Sequence, residues 1–122
     1  RGLALLLISH DLDVIASQCE RTCVMYAGRI VEEGPTAALF AAPAHPYTGG
    51  LLRSRPRPDD VPGTPLRAIP GVVPPMHALP SGCRFRDRCD RAAEDCASAE
   101  PALVGLGDGR RVACLHPLGR PA

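Results

Sequence analysis

The sequence predicts an α/β chain in two unequal parts. Residues 1–44 read as strand, helix, β-hairpin and short helices, and residues 45–122 as a proline-rich, irregular, cysteine-bearing extension. Three observations predict this division. Leu3 to Ile8 is an unbroken apolar run without period-two alternation, as expected of a short strand buried on both faces. Helical and strand periodicities follow it through the first third of the chain only. The whole chain has 14 prolines and only four aromatic residues (two Tyr, two Phe, no Trp), so the remainder has little bulky apolar material to offset the entropy of ordering it.

The first strand turns polar at Ser9-His10-Asp11. At the exit of a strand in an open α/β sheet, loop backbone and helix starts leave a crevice where ligands bind. The alternative is a plain strand end in which Asp11 serves the free N–H groups of the next helix. A Ser/His/Asp hydrolase is disfavoured, because neighbours on an extended chain point to opposite faces while a triad must converge. A parallel sheet cannot be built from one strand, so the stretch is expected to be the C-terminal piece of a longer protein.

Leu12, Ile15, Ala16 and Cys19 fall at i, i+3, i+4 and i+7 and predict a short helix over residues 12–19. Cys19, on its apolar face, and Cys23, at the start of an apolar strand, read as buried small hydrophobes. Residues 23–26 and 29–33 predict a β-hairpin around Ala27-Gly28, where glycine supplies positive φ. Pro35-Thr36 opens a helix ended by Pro43, with Leu39 and Phe40 as its contacts. His45-Pro46-Tyr47-Thr48 begins another short helix, and residues 53–65, rich in charge and proline, read as a linker. Ile69-Pro70-Gly71 fits a type II turn. Residues 66–122 form the cysteine-bearing tail.

Cys83, Cys89, Cys96 and Cys114 lie where aliphatic residues are few, so something other than a large core must hold the tail. Disulfides, zinc with four thiolates or with His116 as an alternate ligand, and an iron–sulfur cluster all compete, as do free thiols in a loose tail. The spacings lack the Cys-x-x-Cys hook of common zinc modules. The formal charge of +1 gives no general attraction to nucleic acid or anionic lipid. Arg84, Arg86, Arg88 and Arg91 are interrupted by Asp87 and Asp90, so a solvated surface is expected there and no nucleic-acid site. The apolar run after Arg1 is too short for a secretory signal, and no segment reaches the roughly 20 apolar residues of a membrane span.

Apolar strand, Ser9-His10-Asp11, helix, and a hairpin with Met25, Gly28, Ile30 and Gly34 in the pattern apolar-x-x-Gly-x-apolar-x-x-x-Gly together resemble the switch-histidine region of ATP-binding-cassette (ABC) ATPases. The His45-Pro46-Tyr47-Thr48 segment and the run from Ile69-Pro70-Gly71 to Cys114-Leu115-His116 are similar to the extension of oligopeptide and dipeptide importer ATPases. The resemblance implies the C-terminal part of a P-loop ATPase subunit that binds ATP with Mg2+ and works as a dimer with a second, identical or different, ATPase subunit. Transmembrane permease subunits, and indirectly a peptide-binding protein, would be its partners on the cytoplasmic, inner face of the membrane. His10 would be the switch residue, hydrogen-bonding the γ-phosphate and placing the attacking water. Cys83, Cys89, Cys96 and Cys114 would ligate a [4Fe-4S] cluster, with zinc as the alternative. The chain contains no Gly-x-x-x-x-Gly-Lys-Ser/Thr loop, no acidic strand end before a catalytic glutamate and no Leu-Ser-Gly-Gly-Gln-like signature. It is therefore expected to be inactive alone. The rival function is a non-catalytic metal-binding or interaction module.

Overall fold

A computed structural model describes residues 2–119. Residue 1 of the expected first part and residues 120–122 of the extension lie outside the described residues. The fold is mixed α/β around a small antiparallel sheet. Helix α1 (Leu12–Gln18) leads into hairpin strands β1 (Arg21–Tyr26) and β2 (Arg29–Pro35), then helices α2 (Thr36–Ala41) and α3 (Pro46–Arg53). After an irregular stretch come three single-turn 3-10 helices, Met76–Ala78, Arg86–Arg88 and Glu94–Ala97, and two short strands, β3 (Val104–Gly105) and β4 (Arg111–Val112).

The expected buried strand at Leu3 to Ile8 is not formed. The segment has no regular structure, and Leu3 (91%), Leu6 (87%) and Ile8 (89%) stand exposed. An apolar run becomes a buried strand only when neighbours pair its N–H and C=O groups, and among the described residues no strand pairs with it. Asp11 caps α1 instead, its Oδ1 accepting the N–H groups of Asp13 (3.0 Å) and Val14 (3.3 Å). Ile15 is the buried residue of α1, and Cys19 is half-buried at its C-cap. Cys23, expected to be buried, is exposed on β1, and its Sγ lies 3.6 Å from Glu33 Oε2.

The hairpin forms where the sequence places it. Both turn residues take positive φ, Ala27 at 47° and Gly28 at 82°. A bulge shifts the register between Val24, paired with Glu32, and Met25, paired with Ile30. Val31 is the extra residue, which lets the consecutive Val31 and Glu32 both be buried.

The tail does not stay apart from the hairpin. β4 pairs antiparallel with β2 through Glu32 with Val112 and Glu33 with Arg111, giving sheet order β1-β2-β4-β3. Tyr26, Val31 and Phe85 form one core cluster with Tyr47 against it, and the rings of Tyr26, Tyr47 and Phe85 lie 4.8 to 5.3 Å apart. The arginine run, expected to be solvated, clamps backbone. Arg84 donates to the Ala27 carbonyl (2.6 Å), while Arg88 donates to the Pro70 carbonyl (2.9 Å) and lies over the Tyr26 ring. Charge-assisted bonds of this kind hold segments that have few apolar contacts of their own. Gly71 in the Ile69-Pro70-Gly71 turn has φ 79°, as a type II turn requires.

Candidate functional site

The sequence-predicted site residues fall in two places. His10 is exposed at the bend before α1, and among the described residues its side chain makes no hydrogen bond or ion pair. The structure brings none of the other candidates to it. The four tail cysteines, by contrast, line one small, partly open pocket, with His45, Arg86, Arg91 and His116 also in its walls.

Local geometry explains how cysteines so far apart in sequence converge. Gly82 has φ 67°, and a Cβ there would run into the Cys96 carbonyl oxygen and Ala97, so glycine lets the two loops touch. The Cys83 N–H then donates to the Cys96 carbonyl at 2.8 Å. Cys89 caps the Arg86–Arg88 turn. Cys114 follows β4, and the Ala113 N–H donates to the Val31 carbonyl at 2.8 Å, so the hairpin fixes the last sulfur's position.

None of the six cysteines is in a disulfide. Burial pushes the Cys83 and Cys89 thiols up, and pushes Cys114 up to about 11. Backbone N–H groups pull the other way: those of Phe85 and Arg86 at Cys83, of Arg91 at Cys89 (3.4 Å) and of His116 at Cys114. Cys96 Sγ accepts the Ala93 N–H at 3.5 Å. At three of the four sulfurs an amide donor stands two residues further along the chain. Such donors stabilise a thiolate once something displaces the proton, and the guanidinium groups of Arg86 and Arg91 offset the charge of several thiolates together. Cys19 and Cys23 are not part of this cavity.

Two buried polar groups support the cavity wall and have no counterpart among the sequence-predicted residues. Glu32 is fully buried and accepts the N–H groups of Ala44 (2.8 Å) and His45 (2.9 Å). His45, only 1% exposed, caps α3 by accepting the Tyr47 N–H on Nδ1 at 3.0 Å. Burial depresses its pKa from 6.5 to about 4, partly offset by the Ala113 carbonyl facing the ring. The imidazole is therefore neutral, with its proton on Nε2. Nε2 itself makes no hydrogen bond of normal geometry. A third pairing, of His116 Nε2 with both Asp95 carboxylate oxygens (2.8 and 3.0 Å), sits beside Cys96. The only sequence signal for His45 was its place before Pro46 at a helix start, and Glu32 carried none.

Known proteins are similar in sequence to this chain across nearly its whole length. A family profile described as "Oligopeptide/dipeptide transporter, C-terminal region" matches residues 31–96. The chain is 45% identical over 120 residues to a putative peptide import ATP-binding protein of Brucella ovis, covering 94% of this chain and 36% of that protein. It is 48% identical over 117 residues to the probable D,D-dipeptide transport ATP-binding protein DdpD of Escherichia coli, covering 95% and 35%. With the dipeptide transport ATP-binding protein DppD of Escherichia coli the identity is 45% over 124 residues, covering 98% and 37%. The chain thus spans about a third of the length of these relatives. Among the described residues no helix is long and apolar enough to cross a membrane. On the match over residues 31–96, which holds most of the hairpin's second strand, the His45-Pro46-Tyr47-Thr48 segment and three of the four tail cysteines, the chain belongs to the oligopeptide/dipeptide transporter C-terminal region family.

Proposed function

We propose that this chain is the C-terminal part of the ATP-binding subunit of an ABC importer, coupling ATP binding and hydrolysis to uptake of oligopeptides or dipeptides. The observation that carries the reading is the similarity to peptide-import ATP-binding proteins over 94 to 98% of the chain. ATP with Mg2+ is bound by the complete subunit, which pairs with a second ATPase subunit and docks from the cytoplasmic side on membrane permease subunits fed by a peptide-binding protein. In that assembly His10 is the switch residue, placing the attacking water at the γ-phosphate. Its exposed imidazole at the start of α1 leaves it free to face a nucleotide. The test is His10→Ala in the complete subunit. Turnover is expected to fall by about 10² or more while ATP affinity stays within several-fold, because the group acts mainly at the transition state. Near-normal ATPase activity would reduce His10 to an exposed residue of the segment leading into α1.

The cavity supports a second element of the reading: Cys83, Cys89, Cys96 and Cys114 act as one ligand set, for a [4Fe-4S] cluster or alternatively zinc. Convergence of four sulfurs, amide donors on them, and two arginines in the walls fit such a group. Bound, it would supply a cross-link between Cys83, Cys89, Cys96 and Cys114, and in the cluster's case one-electron chemistry. The Glu32 and His45 backbone contacts hold the wall against which Cys114 sits. Anaerobically prepared protein should carry iron and acid-labile sulfide, and Ser at any one of the four positions should diminish both together. Zinc without sulfide would keep the ligand set and change the cofactor. No metal at all would leave the tail as a docking extension.

A further inference from the structure

We propose that Asp95, Cys96 and His116 form a capture site for a borderline divalent cation of the Zn2+ or Fe2+ class, at the mouth of the four-thiol cavity. One ligand atom from each of the three lies within 4.8 Å of the other two. The three are graded from solvent inward: Asp95 is exposed, His116 half-buried and Cys96 buried. Asp95 and Cys96 are adjacent on the Glu94–Ala97 turn, while His116 comes from the stretch after β4, two residues past Cys114. Both carboxylate oxygens already point at His116 Nε2, at 2.8 and 3.0 Å, so a cation entering between them replaces a shared proton without moving either side chain far.

The donor set selects the ion. One carboxylate oxygen, one imidazole nitrogen and one thiolate sulfur disfavour Mg2+ and Ca2+, which take oxygen, and suit Zn2+, Fe2+ or Co2+. Three protein ligands leave a fourth position open to water or to an incoming sulfur. On ligation the Cys96 thiol gives its proton to solvent, the proton between His116 Nε2 and Asp95 moves to the ring's Nδ1, and the carboxylate and thiolate then balance the dication. That balance matters because Arg86 and Arg91 line the cavity and Arg91 is held on the His116 carbonyl at 3.3 Å. Arg86 is paired with Asp87 at 3.2 Å, so a bare cation approaching the thiols alone meets chiefly the Arg91 guanidinium, and Asp95 adds a carboxylate beside it. Cys96 belongs to both sets, so a captured ion is one ligand exchange away from the other three sulfurs. Only this delivery rests on the four-cysteine reading, whereas capture of one cation stands without it.

The experiment is anaerobic Co2+ titration of the metal-free 122-residue chain with Cys83, Cys89 and Cys114 all replaced by Ser, followed by near-ultraviolet sulfur-to-cobalt charge transfer. One Co2+ per chain with a single-thiolate band is expected. Asp95→Asn or His116→Gln in that background should weaken binding at least about tenfold, the usual scale for losing a ligand or its orienting partner. Absence of the band in a folded triple variant, or affinity indifferent to both substitutions, overturns the proposal. Where circular dichroism shows the triple variant unfolded, stopped-flow Co2+ loading of the chain with all cysteines decides. Loading at least about tenfold slower in Asp95→Asn, with the same final spectrum, supports capture, and an equal rate overturns it. A final spectrum of four thiolates with no Asp95 or His116 effect removes the capture site and leaves the cysteine ligand set standing. A single-thiolate spectrum sensitive to both does the reverse.

Discussion

Charging His45 should unfold the surroundings that hold it. The ring is 1% exposed, its Nδ1 lone pair is committed to the Tyr47 N–H, and protonation there would set two donors against each other at the start of α3. Burial holds its pKa at about 4 against an ordinary 6.5. Because the folded value is the lower one, the unfolded chain binds the proton first. The associated stability is present above pH 6.5 and is lost as pH falls through about 4. The gap between the two values corresponds to about 3 kcal/mol, a large share of the 5–15 kcal/mol typical of a domain. The assay is urea unfolding at pH 7, 6, 5 and 4 of the 122-residue chain and of His45→Asn. Asn can still accept the Tyr47 N–H through its side-chain oxygen but does not titrate. The other acid-sensitive contacts, such as Asp60 with Arg67 and Asp95 with His116, are common to both proteins and drop out of the difference. Between pH 7 and 4 the natural chain should lose about 3 kcal/mol more than the variant. Parallel pH profiles would refute the assignment of a neutral, structurally committed His45.

Glu32→Ala leaves the buried N–H groups of Ala44 and His45 without acceptors and should cost about 2–5 kcal/mol in urea unfolding. A loss below about 1 kcal/mol would mean that water takes the carboxylate's place. Ala27→Gly relieves a positive φ of 47° and should raise stability by about 0.5–1 kcal/mol, read as a higher urea midpoint. An unchanged or lower midpoint would show that the hairpin turn carries no such strain. Gly82→Ala forces the Cys83 and Cys96 loops apart and should destabilise the chain by about 2 kcal/mol or more. Cys83 and Cys96 should then alkylate faster than in the natural chain. Unaltered alkylation would mean the loops do not touch at Gly82.

Local rules made the first third legible. Ala27-Gly28 between β-prone runs gave the hairpin, Asp11 before Leu12 and Ile15 gave the capped helix, and Pro46 marked the first residue of α3. Leu3 to Ile8 misled because an apolar run specifies a strand only together with its partners, and no pattern within it supplies them. The tail's short strands carried no such signal. β3 and β4 are two residues each, too short for any periodicity, and the place of β4 beside β2 goes with Phe85, Arg84 and Arg88 reaching back across the chain. The four cysteines were recognisable as a set by composition. Their convergence was not, because it depends on the close approach at Gly82 and on the register of Val112 against Glu32. Glu32 was unreadable as a buried group because a carboxylate in a strand normally faces water. The bulge at Val31 and the free N–H groups at Ala44 and His45 reverse that preference.

The pairing of β2 with β4 joins residues 32 and 112, so the outer half of the sheet closes a loop of about 80 residues. The hairpin itself closes over two. Topology of this kind orders assembly in time: the local turn can form early, and the distant strand arrives only after the long closure has been made. It also makes the backbone between α3 and the Pro70 turn dispensable once folding is complete. The strand pairing, the Phe85 ring and the Arg84 and Arg88 clamps grip the hairpin independently of that connection. A single proteolytic cut among the exposed residues near 57–59 would therefore leave two pieces that remain associated and part only when the sheet does.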